Sequence, residues 1–257
     1  MTLTLDIGNS DVVFGLYDAD SWLHIWRTPS SPMQPAAFYQ RKLRLWLLEA
    51  DLTLSQITQA TISSVVPALT ANVREAVSDL FAIDPLVVNA SVYDQLPVTV
   101  LSPQEIGTDL VANAVAAHTR YKKACVIVDF GTALTFTTVG NDGQIMGVAI
   151  APGLKTAIRA LFANTAQLPE VPIELPTSAL GLNTVHAIQA GVVMGYEGLV
   201  RSLIHRIRSE LGGSCLAVAT GGLSKAIPSL HTEFVDVVPS LTLDGIRLIG
   251  DYARADK

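Results

Sequence analysis

One phrase is written twice in this chain. Leu3-Thr-Leu-Asp6-Ile-Gly8 runs apolar, ends on a carboxylate and meets a glycine; Val126-Ile-Val-Asp129-Phe-Gly131 repeats the pattern 123 residues later, close to half of the 257-residue length. A repeat outranks every other local signal, because matched sequence implies matched folding units. Each unit should open with a central strand that delivers an aspartate to a cleft, where it can hold a metal ion directly or through water. The glycine after it lets backbone approach an anion with no Cβ in the way. The next N–H groups, with Asn9, Ser10 or Thr132, can then bond phosphate oxygens as anion-binding nests do. Asp-x-Gly is also common at ordinary turns. Two copies at matched places favour the phosphate reading.

Length allows one large domain or two of about 130 residues, and the repeat selects two, 1–121 and 122–257. With 49% hydrophobic and 16% charged residues there is material for a core and no sign of disorder. A net charge of −6 argues against general affinity for nucleic acid. The five histidines (His24, His118, His186, His205 and His231) lack metal-ligand spacing. Cys125 and Cys215 each begin an apolar run and read as buried thiols, which suits a reducing cytoplasm. The N-terminus carries an acid at position six and no basic region, unlike a signal peptide. No apolar run approaches the length of a membrane span, so no membrane partner is expected.

Along the chain, residues 2–7, 12–17 and 22–28 read as a three-stranded meander, followed by a breaker-rich loop over 29–35 and an amphipathic helix over 36–50. A strand over 59–63 leads to a helix with Pro67 in its first turn, ending near Ala82, and 86–88 is a short strand. Residues 97–103 read as extended. Thr108 or Asp109 can cap an Ala-rich helix over 110–121. The second half repeats the order: strands over 125–129, 134–139 and 144–151 with an Asn141-Asp-Gly143 turn, a helix over 154–163, a proline-rich loop over 168–180, and a long helical stretch over 183–211. A strand over 214–219 meets Thr220-Gly-Gly222 and a short helix. A strand over 234–238 and a helix over 241–253 close the series.

Taken together, these pieces resemble the type III pantothenate kinase family, within the superfamily of sugar kinases, actin and Hsp70. The matching segments are Asp6-Ile-Gly-Asn-Ser10, Ile62-Ser-Ser-Val-Val-Pro67, Gly107-Thr-Asp109 with Ala112-Asn113, Asp129-Phe-Gly-Thr132, Pro152-Gly153, Gly181-x-Asn183-Thr184 with Gln189-Ala-Gly191, and Thr220-Gly-Gly222, in the family's order over nearly the whole chain. The resemblance implies an α/β fold of duplicated ribonuclease H-like (actin/Hsp70-type) domains, each a mixed five-stranded sheet with flanking helices, and a homodimer. It implies transfer of the γ-phosphoryl of ATP to the primary hydroxyl of pantothenate, with Mg²⁺ accompanying ATP and a monovalent cation, K⁺ or NH₄⁺. On matching positions it makes Asp6, Ile7, Gly8, Asn9, Ser10, Asp11, Val12 and Val13 the first phosphate loop, with Thr132 and Gly221 also at the nucleotide. Asp129 becomes the ligand of the monovalent cation. Asp109 becomes the general base, and Gly107, Thr108, Asp109, Leu110 and Thr184 become acceptor contacts. The helix that Asp109 opens is expected to hold its pKa low. Asp109 and Thr184 also read as plain helix caps.

Three positions depart from the family pattern. Leu110 stands where an arginine is usual after the base. Val100 stands where a tyrosine is usual, three residues before Pro103. Asp11 brings an added anion to the phosphate loop, which weakens phosphate binding unless a cation intervenes. An active kinase and a non-catalytic or acceptor-shifted paralogue that keeps the nucleotide cleft and dimer are the two readings these residues leave open.

Overall fold

Leu3, Leu5 and Ile7 alternate with Thr4 and Asp6, so the first strand buries one apolar face and turns its polar side chains to the other. The computed structural model describes residues 1–255. The first half forms β1 (Thr2–Ile7), β2 (Asp11–Asp18), β3 (Ser21–Pro29), β4 (Gln59–Ser64) and β5 (Leu86–Val87), paired in the order β3-β2-β1-β4-β5. The second forms β6 (Cys125–Phe130), β7 (Ala133–Val139), β8 (Ile145–Pro152), β9 (Leu216–Thr220) and β10 (Asp236–Val237), in the order β8-β7-β6-β9-β10. In both sheets the first three strands are an antiparallel meander and the last two join in parallel. The sheets have one topology, with β1 and β6 central in each. This is the duplicated α/β fold expected from the repeat.

Helices α1 (Ala36–Glu49) and α2 (Pro67–Phe81) cover the apolar face of the first sheet, where Leu5, Ile7 and Phe14 pack with Tyr39, Leu43 and Val73. Helix α3 (Thr108–Tyr121) follows β5. In the second half α4 (Leu154–Ala163), α5 (Thr184–Gln189) and α6 (Gly195–Glu210) follow β8, and Val126, Val128 and Phe136 pack with Ile158, Val200 and Ile204. The long stretch expected over 183–211 is helical throughout, with one π-helical turn, Ala190–Met194, between α5 and α6. Helix α7 (Leu241–Ala255) comes last.

The chain forms two compact units, Met1–Ala116 with the segment from Thr242 onward, and Ala117–Leu241. These are not the contiguous halves 1–121 and 122–257. The division falls inside α3, and α7 belongs to the first unit. Its hydrogen bonds say why: Trp22 Nε1 donates to Asp244 Oδ1 at 2.7 Å, Thr242 Oγ1 to Asn113 Oδ1 at 2.9 Å, and Arg254 Nη2 to the Ala60 carbonyl at 2.7 Å. Gly245 lets α7 lie against α3, since a Cβ there would collide with the Ala112 carbonyl. Two smaller expectations change: residues 97–103 bend instead of running extended throughout, and the short helix after Thr220 is a 3₁₀ turn at Pro228–Glu233. A further 3₁₀ helix, at Ala90–Gln95, was not expected. Among the described residues no helix is long and apolar enough to cross a membrane.

Candidate active site

Asp6 lies on the face of β1 opposite the first unit's core. Its cross-strand neighbours are Val13 on β2 and Ser63 on β4, and beyond Val13 comes Arg27 on β3. Residues paired across strands point to the same face, so Arg27, Val13, Asp6 and Ser63 form one row. The turn after β1 is closed by the Gly8 N–H donating to the Asp11 carbonyl at 3.0 Å. Ser30 fastens it from the side: its hydroxyl donates to the Gly8 carbonyl at 2.6 Å and its N–H to the Ser10 carbonyl at 2.9 Å. With those carbonyls held, Asn9 and Ser10 are the exposed residues of the turn. Of the residues expected in this loop, Ile7 and Val12 are buried in the core and serve as its base.

The row leads on to α3. Ser63 Oγ and Thr108 Oγ1 share a hydrogen bond of 2.8 Å, and the Ser64 N–H donates to Thr108 Oγ1 at 3.1 Å. Thr108 is thereby the peg that seats the start of α3 on the end of β4, not the cap of its own helix; the helix begins two residues earlier than expected, on the Gly107 carbonyl, which accepts from the N–H groups of Leu110 and Val111. Asp109 is half-buried, and its Oδ1 accepts from the Leu110 N–H at 2.9 Å. A Cβ on Gly107 would run into that carboxylate. Burial pushes the Asp109 carboxyl above its ordinary pKa, and the N–H groups of Leu110 and of Asp109 itself oppose this without cancelling it. The low value expected from the helix N-terminus is corrected: desolvation outweighs the helix. Tyr93 lies within electrostatic reach. Its hydroxyl pKa is raised by burial and then by the Asp109 charge. Nothing in the sequence marked Tyr93, which sits on the unforeseen 3₁₀ helix. Leu110 is only 8% exposed, so the side chain in the arginine's usual place is turned into the protein.

The second unit repeats the arrangement on its own sheet. Asp129 has Thr135 on one side in β7 and Thr220 on the other in β9, all on the face away from the core. The Oγ1 atoms of Thr135 and Thr220 are buried and have no hydrogen-bond partner among the described residues. Such orphaned hydroxyls are uncommon and call for a reason. The turn after β6 is one residue shorter than its counterpart, closed by the Gly131 N–H on the Ala133 carbonyl at 3.1 Å. The Thr132 carbonyl accepts from the Gly153 N–H at 3.0 Å and from Thr156 Oγ1 at 2.7 Å, which leaves the Thr132 side chain exposed at the apex. Gly153 must be glycine, because a Cβ would strike the Gly131 and Thr132 carbonyls. Gly221 is held at φ +90° directly over the Asp129 carboxylate and the Phe130 backbone. Thr184 stands apart from these residues at the start of α5, where Asn183 is the cap through its 2.9 Å bond from the His186 N–H. Thr184 instead lines a groove of about 520 Å³ with Leu161, Leu168, Asn183, Ile188 and Val192.

In each unit an aspartate at the end of the central strand, beside a glycine turn, suits phosphate and its cations; in the first unit the half-buried Asp109 carboxylate suits proton transfer. Solved structures with the same architecture include a Baf family transcriptional activator described as putative from Campylobacter jejuni, 17% identical with a TM-score of 0.55 over 96% of this chain and 95% of that one, and component A of the Acidaminococcus fermentans (R)-2-hydroxyglutaryl-CoA dehydratase, 13% identical with a TM-score of 0.51 over 100% and 99%. At such identities they share the fold alone. Sequence relatives are nearer. A type III pantothenate kinase of Treponema pallidum is 44% identical over 95% of this chain and 91% of its own length, and that of Roseiflexus sp. is 39% identical over 99% and 100%. The family model for type III pantothenate kinase matches residues 2–206. On this evidence the chain belongs to the type III pantothenate kinase family.

Proposed function

We propose that this protein is the kinase its relatives are named for, transferring the γ-phosphoryl of ATP to the primary hydroxyl of pantothenate, the first step toward coenzyme A. The observation that carries the reading is a desolvated carboxylate, Asp109, seated beside the Asp6 turn through Ser63 and Thr108, in a chain that repeats the aspartate turn at Asp129. Phosphoryl transfer passes through a loose transition state, so positioning and charge neutralisation do most of the work. The loop from Asp6 to Val13 binds phosphate, as does the Thr132 apex of the second unit, and Gly221, packed on Asp129 and Phe130, brings backbone to the nucleotide. Asp109 accepts the proton of the attacking hydroxyl. Burial raises its pKa, which makes it a better base than an exposed carboxylate. Gly107 and Thr108 set its position. Leu110, buried and without charge, cannot bond the acceptor's carboxylate, and Thr184 stays an acceptor contact by the family resemblance. The non-catalytic reading is not favoured, because relatives named as kinases span nearly the full length.

Mg²⁺ entering with ATP supplies charge neutralisation at the phosphates. Asp129, with the orphaned hydroxyls of Thr135 and Thr220, offers hard oxygen ligands that fit a monovalent cation such as K⁺ or NH₄⁺. Among the described residues no group of three or more His, Cys, Asp or Glu could hold a metal, so neutral oxygens must complete any such site.

The reading includes a two-fold homodimer. Gly191, Gly195 and Gly198 lie along one helical face, are exposed, and would meet no described heavy atom within 4 Å if given a Cβ. The stripe is therefore not spent on packing inside the protomer, and nearby Phe162 and Leu182 are 50% and 93% exposed. Two free buried thiols suit a cytoplasmic location. The test is an ADP-release assay with ATP, Mg²⁺ and K⁺, with and without pantothenate. Pantothenate-dependent release and a phosphorylated product are expected, with Asp129→Ala losing the potassium dependence. ATP binding with no transfer to pantothenate would establish the non-catalytic paralogue instead.

A further inference from the structure

The added anion of the first phosphate loop has a partner. Arg27 Nη1 lies 3.7 Å from Asp11 Oδ2, with the two side chains 52% and 37% exposed. That separation is an ion pair without a hydrogen bond, longer than the 2.7–2.9 Å of a charge-assisted one. Exposed pairs of this kind hold weakly, so the guanidinium is free to make a better contact. Its placement is fixed by the sheet. Arg27 is in register with Val13 and Val13 with Asp6, which puts Arg27 in the row of Asp6 on the face away from the core. The end of the same strand continues into Ser30, which clamps the Gly8–Ser10 turn. Two carboxylates, Asp6 and Asp11, thus border a turn read as meeting phosphates, and Arg27 is a cation held beside one of them.

The geometry points to Arg27 as a ligand of the nucleotide's polyphosphate, parked against Asp11 until phosphate displaces that carboxylate. The inference rests on the kinase reading and adds to it a residue that no motif marked. Arginine is suited to the task, since its planar fork can bond two phosphate oxygens at once. Asp11 then acts as a positioning residue: it keeps the guanidinium at the turn and sets a threshold that only a highly charged ligand overcomes.

The test is calorimetric titration of ATP, AMP and adenosine, each with Mg²⁺, into wild type, Arg27→Gln, Arg27→Lys, Asp11→Asn and the Arg27→Gln/Asp11→Asn double variant, with thermal melts to confirm folding. Arg27→Gln is expected to weaken ATP about tenfold or more, the loss of a charge-assisted contact, while AMP and adenosine change little. Arg27→Lys should fall between. Asp11→Asn should recover part of the loss in the Arg27→Gln background, because an unpaired carboxylate beside phosphate is removed. If wild type binds ATP and Arg27→Gln binds it equally well, or loses adenosine as much as ATP, this assignment is overturned and the kinase reading stands. Wild type that binds no ATP overturns both.

Discussion

Asp109 holds a cost that function requires. Its carboxyl is pushed above the ordinary carboxylate pKa by burial, so the folded protein keeps that proton to higher pH than the unfolded chain does. That contribution to stability is fully present below the unfolded value, near 3.9, and is lost as pH rises through the folded value. Above the folded value the ionised, desolvated group therefore weakens the fold. Asp109→Asn is expected to raise the melting temperature at pH 7 and to narrow that gain at acid pH, while lowering kcat by about 10²–10⁴ with ATP affinity nearly unchanged. In wild type the acid limb of kcat/KM should fall at a higher pH than a free carboxylate would give. A melting temperature that drops in Asp109→Asn at neutral pH would show the carboxylate to be a structural cap. Sequence placed this residue correctly in its segment but gave its pKa the wrong direction, because the helix N-terminus is visible in a sequence and burial by distant segments is not.

The strands were legible because they alternate or run apolar between glycines and prolines, and the central aspartates were legible because they occur twice. Elements made by context were not. The Ala90–Gln95 3₁₀ helix carries no periodicity, and the π turn has αR backbone angles on both sides. Arg27 and Thr135 entered the site through sheet register, which no local pattern states, and Ser30 through its bonds to the Gly8–Ser10 turn. Register also explains the second half's glycines. Gly221 combines φ +90° with a packed Asp129 and Phe130, so Gly221→Ala should destabilise by about 2 kcal/mol or more, from left-handed strain and collision together, read as a lower urea midpoint. Gly195→Ala has the opposite expectation in the protomer. Nothing described lies near its Cβ, and alanine favours a helix interior by about 1 kcal/mol. If the glycine stripe is the dimer seam, Gly195→Leu will give a stable monomer by sedimentation; a dimer that survives it would move the interface elsewhere.

At the scale of the whole molecule, the first unit is discontinuous in sequence. Its last piece, α7, is tied by Trp22–Asp244, Asn113–Thr242 and Arg254 on Ala60, with Arg247 set 4.4 Å over the Tyr17 ring. A fragment of residues 1–121 should therefore be poorly folded by circular dichroism, and a peptide of residues 241–257 added in trans should restore structure. A fragment that folds as well without the peptide would make α7 a passive addition. Each lost hydrogen bond of this kind is worth about 1 kcal/mol, and the apolar face of α7, with Leu243, Ile246 and Ile249 almost fully buried, contributes more. During synthesis this arrangement inverts the usual order of events. The N-terminal unit leaves the ribosome first yet cannot be completed until α7 has followed, whereas the second unit is one continuous segment, Ala117–Leu241, and has all its residues available sooner. The sheet that carries Asp6 must wait, with the face meant for α7 uncovered, for roughly the 120 residues between them to be made; at about 5–20 residues per second that is an exposure of many seconds, and it is the interval in which a holdase would find this chain.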